Sequence, residues 1–187
     1  LDSGKVDLNS MWDARGPLHY GKFAIHDDHP LGRMINMKEV FYYSSNVGAA
    51  RIALSQGVEA HKAFLRKLGQ LERLRTELPE SASPILPRRL AELNTVTIAF
   101  GHGVSVSPLS FAAAAASVVN GGRKITPTFL KRPHDARGEQ VISPATSAAM
   151  RSLLRYVVTN GTGRKADVPG YDVGGKTGSA EKIGPDG

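Results

Sequence analysis

Lys176-Thr177-Gly178, within the run Gly174-Gly175-Lys176-Thr177-Gly178-Ser179, is where this sequence concentrates groups that could do chemistry. A lysine beside closely spaced hydroxyls and glycines serves two incompatible purposes. One is a phosphate cradle. The other is a strand that receives a carboxylate. Gly170 to Thr177 satisfies G-x-x-x-x-G-K-[ST] letter for letter, but that motif works only between a buried strand and the N-terminus of a helix. Residues 160–169, NGTGRKADVP, contain no Val/Ile run that would read as such a strand. The residues after Thr177 are punctuated by Gly178, Gly184 and Pro185, which argues against a helix. No nucleotide is therefore expected here.

The carboxylate reading needs a second element carrying a hydroxyl and an amide. Ser44-Ser45-Asn46 supplies it, in EVFYYSSNVGAARIA. Ser-x-Asn together with Lys-Thr-Gly belongs to the motif set of serine β-lactamases and penicillin-binding proteins. Each tripeptide alone says little, because a lone Ser44 is most often a helix cap and a lone Lys176 an ordinary surface lysine. The flanking text adds weight. SSNVGAARIAL, IAFGHGVSVSPLSFAAAAASVVNGG (98–122), MRSLLRYVVTNGTGRKA (150–166), VGGKTGSAEK (173–182) and GPLHYGKFAIHDDHPLGRM (16–34) resemble successive stretches of the transpeptidase domain of class B penicillin-binding proteins, nearest to the septal cell-division (FtsI-like) type.

The resemblance implies an α+β fold of the penicillin-recognising serine transferase (β-lactamase-like) kind, helix-rich, with part of a central antiparallel sheet. It implies a peptidoglycan D,D-transpeptidase acting on stem peptides ending in D-Ala-D-Ala, a target of β-lactam antibiotics, with cell-division proteins as partners of the parent. Such a parent is held in the bacterial inner membrane with this domain in the periplasm, and the chain itself is expected to be soluble. By the same resemblance, Ser44, Asn46 and Lys176 are catalytic, with Ser44 as a proton relay. Thr177, Gly178 and Ser179 bind substrate. Serine acyl transfer calls for no cofactor and no metal. Strand period would place residues 177 and 179 on one face and Lys176 on the other.

Two departures qualify the match. Ser179 stands where the family usually has Thr, and the hydroxyl is kept. The nucleophile motif Ser-x-x-Lys occurs only as Ser179–Lys182, inside the Lys-Thr-Gly element itself. The expectation is a partial transpeptidase domain over 1–187, cut at both ends and inactive alone. The alternatives are a β-lactamase or β-lactam sensor of the same superfamily, or a non-catalytic interaction module.

Composition agrees with a globular domain. Of 187 residues 41% are hydrophobic and 22% charged, which excludes disorder. The absence of cysteine removes thiol chemistry and Cys-based zinc sites. The net charge of +7 gathers in the middle third, at Lys62, Arg66, Lys67, Arg73, Arg75, Arg88 and Arg89. These alternate with Glu59, Glu72, Glu77 and apolar residues, and no aromatic-rich stacking pattern accompanies them, so they read as a solvated face and not a nucleic-acid surface. His26-Asp27-Asp28-His29 offers metal-ligand types, but no helix puts them on one face. Asn160-Gly-Thr162 matches a glycosylation sequon and reads as a turn.

The elements that must position these groups follow from punctuation. Residues 1–35 read as loop-rich. Asn36–Glu39 has capping-box spacing and opens a helix to about Tyr43. Ser45 caps a second, to about Gln56. Val58–Leu68 predicts a third, with Ala60, Phe64, Leu65 and Leu68 as its apolar face and Gly69 as its cap. Residues 61–97 are the least diagnostic text, with 79–90 a loop. Ser107-Pro108 and Ser143-Pro144 start two more helices. Thr126–Lys131 and Tyr171–Lys182 are the expected strands.

Overall fold

The computed structural model describes residues 1–132 and 138–178. The architecture is α+β and helix-rich. β1 (Met11–Ala14) pairs antiparallel with β4 (Arg33–Asn36), Trp12 opposite Ile35 and Ala14 opposite Arg33. Between them, β2 (Leu18–Tyr20) and β3 (Phe23–Ile25) form a separate hairpin closed by Gly21 at φ 57°. A left-handed residue is what a tight hairpin turn requires. The expectation of a loop over 1–35 is thus overturned. Strands of three and four residues are too short to display a two-residue period, and Gly16-Pro17, read as loop punctuation, only separates β1 from the hairpin.

β4 runs straight into α1 (Met37–Tyr43). Asn36 ends the strand and caps the helix: its Oδ1 accepts the Glu39 N–H at 3.0 Å, while the Asn36 N–H donates to Glu39 Oε2 at 2.9 Å. α2 (Asn46–Gln56) comes next with Ser45 as N-cap and stops at Gly57, as the sequence predicts. α3 (Val58–Lys67) ends one residue early, capped by Leu68 and not Gly69. Its inner side is Val58, His61, Lys62, Leu65 and Leu68; Ala60 and Phe64, predicted to face inward, are exposed. α4 (Glu92–Ile98) lies in the text that gave no signal. α5 (Pro108–Val119) and α6 (Pro144–Asn160) begin at their Ser-Pro pairs, and a 3-10 turn (Arg164–Ala166) succeeds α6.

α2 packs on β1 and α4, while α6 packs on both α1 and α5. Ala14, Ile35 and Val40 form a buried cluster, against which Trp12, Leu31, Ala49 and Ile52 pack. Val157 and Val158 bury the inner face of α6. The small buried residues Ser110, Ala113, Ala114 and Ser117 let α5 approach its neighbours closely.

Neither expected strand appears among the described residues. In 126–131, Pro127 has no N–H to give. The Phe129 N–H donates to Glu77 Oε2 at 2.9 Å, and the Thr128 hydroxyl bonds the same carboxylate. Residues 172–178 belong to no helix or strand and join no ladder. Their backbone turns instead to α6.

Candidate active site

The site is built where α1 hands over to α2. Ser44 is the C-cap of α1, at φ 57° and ψ 45°, and is the one non-glycine residue with positive φ among the described residues. That conformation costs a serine about 1–3 kcal/mol and persists only where the surroundings enforce it. They do so on both sides. The Ser44 N–H donates to Phe41 O at 3.3 Å and the Ser45 N–H to Val40 O at 3.0 Å, closing α1. Ser45, 3% exposed, then opens α2 by accepting the Gly48 N–H at 2.9 Å. Ser44 is therefore held at the end of α1, while Ser45 starts α2 as the sequence predicts.

Asp27 locks the same junction. Its Oδ2 accepts the Ser45 hydroxyl at 2.8 Å and its Oδ1 the Val47 N–H at 2.9 Å. A carboxylate at a helix N-terminus satisfies orphan donors and faces the positive end of the dipole. Both oxygens of Asp27 are engaged in this structural work. Asn46, the first residue of α2, donates from Nδ2 to His26 O at 3.0 Å. Its Oδ1 has no hydrogen-bond partner among the described residues and remains available to a ligand amide.

Lys176 reaches this junction from the far end of the chain. Its Nζ donates to Ser44 Oγ at 2.7 Å, across 132 residues of sequence. The ammonium also donates to Thr177 O at 2.8 Å and to Thr177 Oγ1 at 3.3 Å. Lys176 and Thr177 thus share a polar contact although strand period predicts opposite faces for them. With no ladder to fix the pleat, the four-carbon stem bends back over its neighbour. The side chain as a whole is exposed, yet its ammonium is shielded at Ser44, and this partial desolvation lowers its pKa from the ordinary lysine value of 10.5.

Contacts with α6 carry Lys176 into place. The Gly175 N–H donates to Leu154 O at 3.1 Å, and Arg155 Nη1 donates to Val173 O at 3.0 Å. The same guanidinium pairs with Asp167 at 2.6 Å. A Cβ on Gly174 would stand 3.3 Å from the Arg155 backbone nitrogen and from Leu154 Cβ, so glycine admits this close approach. At the other end of the arrangement the Tyr42 and Tyr156 rings lie 5.6 Å apart, joining α1 to α6. α6 is thus the common support of both halves.

The structure brings Ser44, Lys176 and Thr177 together, with Asn46 two residues beyond Ser44. Gly178 is open: a Cβ there would find nothing within 4 Å, room for a ligand to lie alongside. Ser179 lies outside the described residues. For a phosphate loop, the residues before Gly170 would have to be a strand, and they are the 3-10 turn and a loop. Two polar residues were not anticipated. Asp27 was visible only as part of a metal-like His/Asp run. Thr162, whose Oγ1 lies 2.8 Å from Thr177 Oγ1, was visible only as part of a sequon.

The chain has relatives of known name. Over 190 residues the chain is 40% identical to the "Probable peptidoglycan D,D-transpeptidase FtsI" of Caulobacter vibrioides, covering 99% of this chain and 32% of that protein. It is 31% identical to the "Penicillin-binding protein PbpB" of Mycolicibacterium smegmatis, with 99% and 32% coverage. Among solved structures, the transpeptidase domain of Burkholderia pseudomallei penicillin-binding protein 3 superposes with a TM-score of 0.90 at 29% identity, covering all of this chain and 58% of that one. Penicillin-binding protein 3 of Mycobacterium tuberculosis, complexed with aztreonam, gives 0.87 at 27% identity, with 99% and 46% coverage. The chain spans about a third of the length of the curated relatives it matches. Residues 1–187 match the penicillin-binding protein transpeptidase domain throughout, and the chain belongs to that family.

Proposed function

We propose that the chain is part of a peptidoglycan D,D-transpeptidase that cross-links stem peptides during cell-wall synthesis at septation. In this reading it is a partial domain, and the acylated serine is carried on a segment of the same polypeptide outside these 187 residues. The observation that carries the proposal is the 2.7 Å bond from Lys176 Nζ to Ser44 Oγ. When the nucleophile attacks the penultimate D-Ala carbonyl, the terminal D-Ala departs as an amine and must gain a proton. Ser44 Oγ–H donates it, the Lys176 ammonium refills Ser44, and the proton that the attacking hydroxyl gives up restores the lysine, so the relay carries the nucleophile's proton to the amine. A lysine of lowered pKa is the better acid for that second transfer. As the amine of a second stem peptide attacks the acyl-enzyme, it gives up a proton that runs back along the same relay to the departing serine oxygen, and the serine hydroxyl is regenerated.

Asn46 Oδ1 accepts an amide N–H of the bound peptide. The terminal carboxylate, or the carboxylate of a β-lactam, meets the hydroxyls of Thr177 and Ser179 beside the Lys176 charge. Gly178 lets the peptide backbone lie against 177–179. The parent would work in the periplasm from an inner-membrane anchor, alongside cell-division proteins. The test uses the complete polypeptide that contains these residues, incubated with a fluorescent penicillin and read by intact mass. One adduct is expected, on a serine outside 1–187. Lys176→Ala and Ser44→Ala should slow its formation by about 10²-fold or more. The 187-residue chain by itself should take up no drug. An adduct-free complete protein, or unimpaired labelling of Lys176→Ala, would remove the reading.

A further inference from the structure

We propose that Thr162 is a positioning residue that orients the Thr177 hydroxyl toward the ligand carboxylate; this rests on the transpeptidase reading above. The argument is one of donors. Thr177 Oγ1 carries one proton and two lone pairs. Lys176 Nζ, which has only protons to offer, directs one at it from 3.3 Å. Thr162 Oγ1 lies 2.8 Å away on another side. If Thr177 donated to Thr162, it would have no proton left for an anion. If Thr162 donates, both lone pairs of Thr177 are filled, and the proton of this exposed residue is left for an incoming anion. A carboxylate arriving there supplies the acceptor. The chain Thr162 O–H to Thr177 O–H to carboxylate then runs in one sense, each bond strengthening the next.

The position of Thr162 is fixed by its neighbours. The Gly161 and Gly163 N–H groups both donate to Val157 O, at 2.9 and 3.2 Å. Neither glycine is there for a left-handed backbone. They are there for contact: a Cβ on Gly161 would lie 3.0 Å from Val157 O and 3.1 Å from Tyr42 O, and one on Gly163 would lie 3.3 Å from Val157 O. Thr162 is therefore clamped between two residues pressed on the C-terminal turn of α6, the helix that also carries Gly175 through Leu154 O. One support sets both ends of the Thr162–Thr177 bond. The pattern Gly-Thr-Gly has a use here that a turn or a sequon does not explain.

The test is acylation of the complete polypeptide by benzylpenicillin, with the non-covalent dissociation constant separated from the maximal acylation rate. Thr162→Val keeps the shape and removes the hydroxyl. It should raise the dissociation constant about tenfold, the worth of one hydrogen bond to a charged group, and leave the maximal rate within about twofold. Thr162→Ser should restore binding. In a Thr177→Val background, Thr162→Val should have no further effect, because its only route is through that hydroxyl. An unchanged dissociation constant in Thr162→Val overturns the inference. So does full additivity with Thr177→Val, or a Thr162→Ser protein as impaired as Thr162→Val. If the wild-type protein takes up no penicillin, the transpeptidase reading itself has failed. If it does so normally and Lys176→Ala abolishes uptake while Thr162→Val is silent, only the role of Thr162 has failed.

Discussion

The two halves of the site are held by different physics. Ser44 and Asn46 sit at a helix junction where almost every constraint is local: α1 closes as the Ser44 and Ser45 N–H groups donate back to it, and α2 opens on the Ser45 hydroxyl. Lys176 and Thr177 sit on a segment that joins no ladder among the described residues and is hung on α6 by one backbone bond and one arginine. The first half is a rigid anvil built by capping rules. The second is placed by contacts between residues distant in sequence, and it is the half that must admit a ligand. The difference predicts that damage to the junction shows up mainly as lost stability, while damage to the 172–178 anchor shows up mainly at the site.

The largest effect on folding should come from Gly48→Ala. A Cβ at this helical position would lie 2.6 Å from Val40 Cγ2 and 3.1 Å from Ser45 Oγ. Val40 is buried at 4% exposure and its short branched side chain cannot swing away. Overpacking of this kind costs about 1–3 kcal/mol, even though alanine favours the helix. Urea unfolding measures it. A neutral result would mean that α1 and α2 can slide apart, and the junction would not be the rigid half.

Next in size is Ser45→Ala. It removes the cap of α2 and one of the two bonds of Asp27. A loss of about 1–2 kcal/mol is expected, with Asp27→Asn intermediate, since the amide still accepts one N–H. If Asp27→Asn proves the more damaging of the two, the loop at 26–27 contributes more than the cap.

Arg155→Ala tests the other half. Its ion pair with Asp167 is partly exposed, so global stability should fall by no more than about 1 kcal/mol. Hydrogen exchange at the Gly175 N–H should nonetheless accelerate by an order of magnitude or more, as the segment leaves α6 locally. Penicillin labelling of the complete protein should fall with it. If exchange at Gly175 follows only global unfolding, the two halves do not differ in the way described.

What could be read from the sequence divides along the same line. The capping box at Asn36–Glu39, the cap at Ser45 and the Ser-Pro starts of α5 and α6 were legible because the information lies within three or four residues. α4 was not, since Ala91 offers no side-chain oxygen and the helix is capped only by Asn94 Oδ1 reaching back to the Ala91 N–H. β1 and β4 were hidden because their pairing spans the β2–β3 hairpin. Of the site, the motif residues were legible as a set by resemblance. Their meeting was not deducible from local pattern, and the two hydroxyl and carboxylate groups that hold them, Thr162 and Asp27, had plausible local readings that pointed elsewhere.

A smaller effect separates backbone from side chain at Ser44. Ser44→Gly and Ser44→Ala both remove the hydroxyl that Lys176 holds, so both should slow labelling equally. They should differ in stability, because glycine accepts φ 57° without strain and alanine does not. We expect the glycine variant to be about 1 kcal/mol more stable than the alanine variant. Equal stabilities would mean that the junction relaxes out of the left-handed conformation once the lysine contact is gone, making Lys176 a cause of the geometry and not its beneficiary.

The smallest effect is a pH dependence confined to the rigid half. Arg33 Nη2 donates to Glu39 Oε1 at 2.7 Å, and this bond, with a further contribution from the Asn36 N–H, holds the Glu39 pKa below its ordinary value of 4.5. A carboxyl group whose pKa is depressed by folding adds stability at pH values above its unfolded pKa and loses that stability as pH falls through the folded value. The pair lies near the surface, with Arg33 47% and Glu39 27% exposed, so the gain is about 0.5 kcal/mol. Comparing wild type with Glu39→Gln by urea unfolding isolates it from the other carboxylates: a difference should be present at pH 7 and shrink steadily below about pH 4.5, and salt should reduce it. The same titration should leave the Gly175 exchange rate unchanged, because nothing in the 172–178 anchor depends on Glu39. A Gly175 rate that moved in step with Glu39 would join the two halves into one cooperative unit, and the comparison between them would have to be given up.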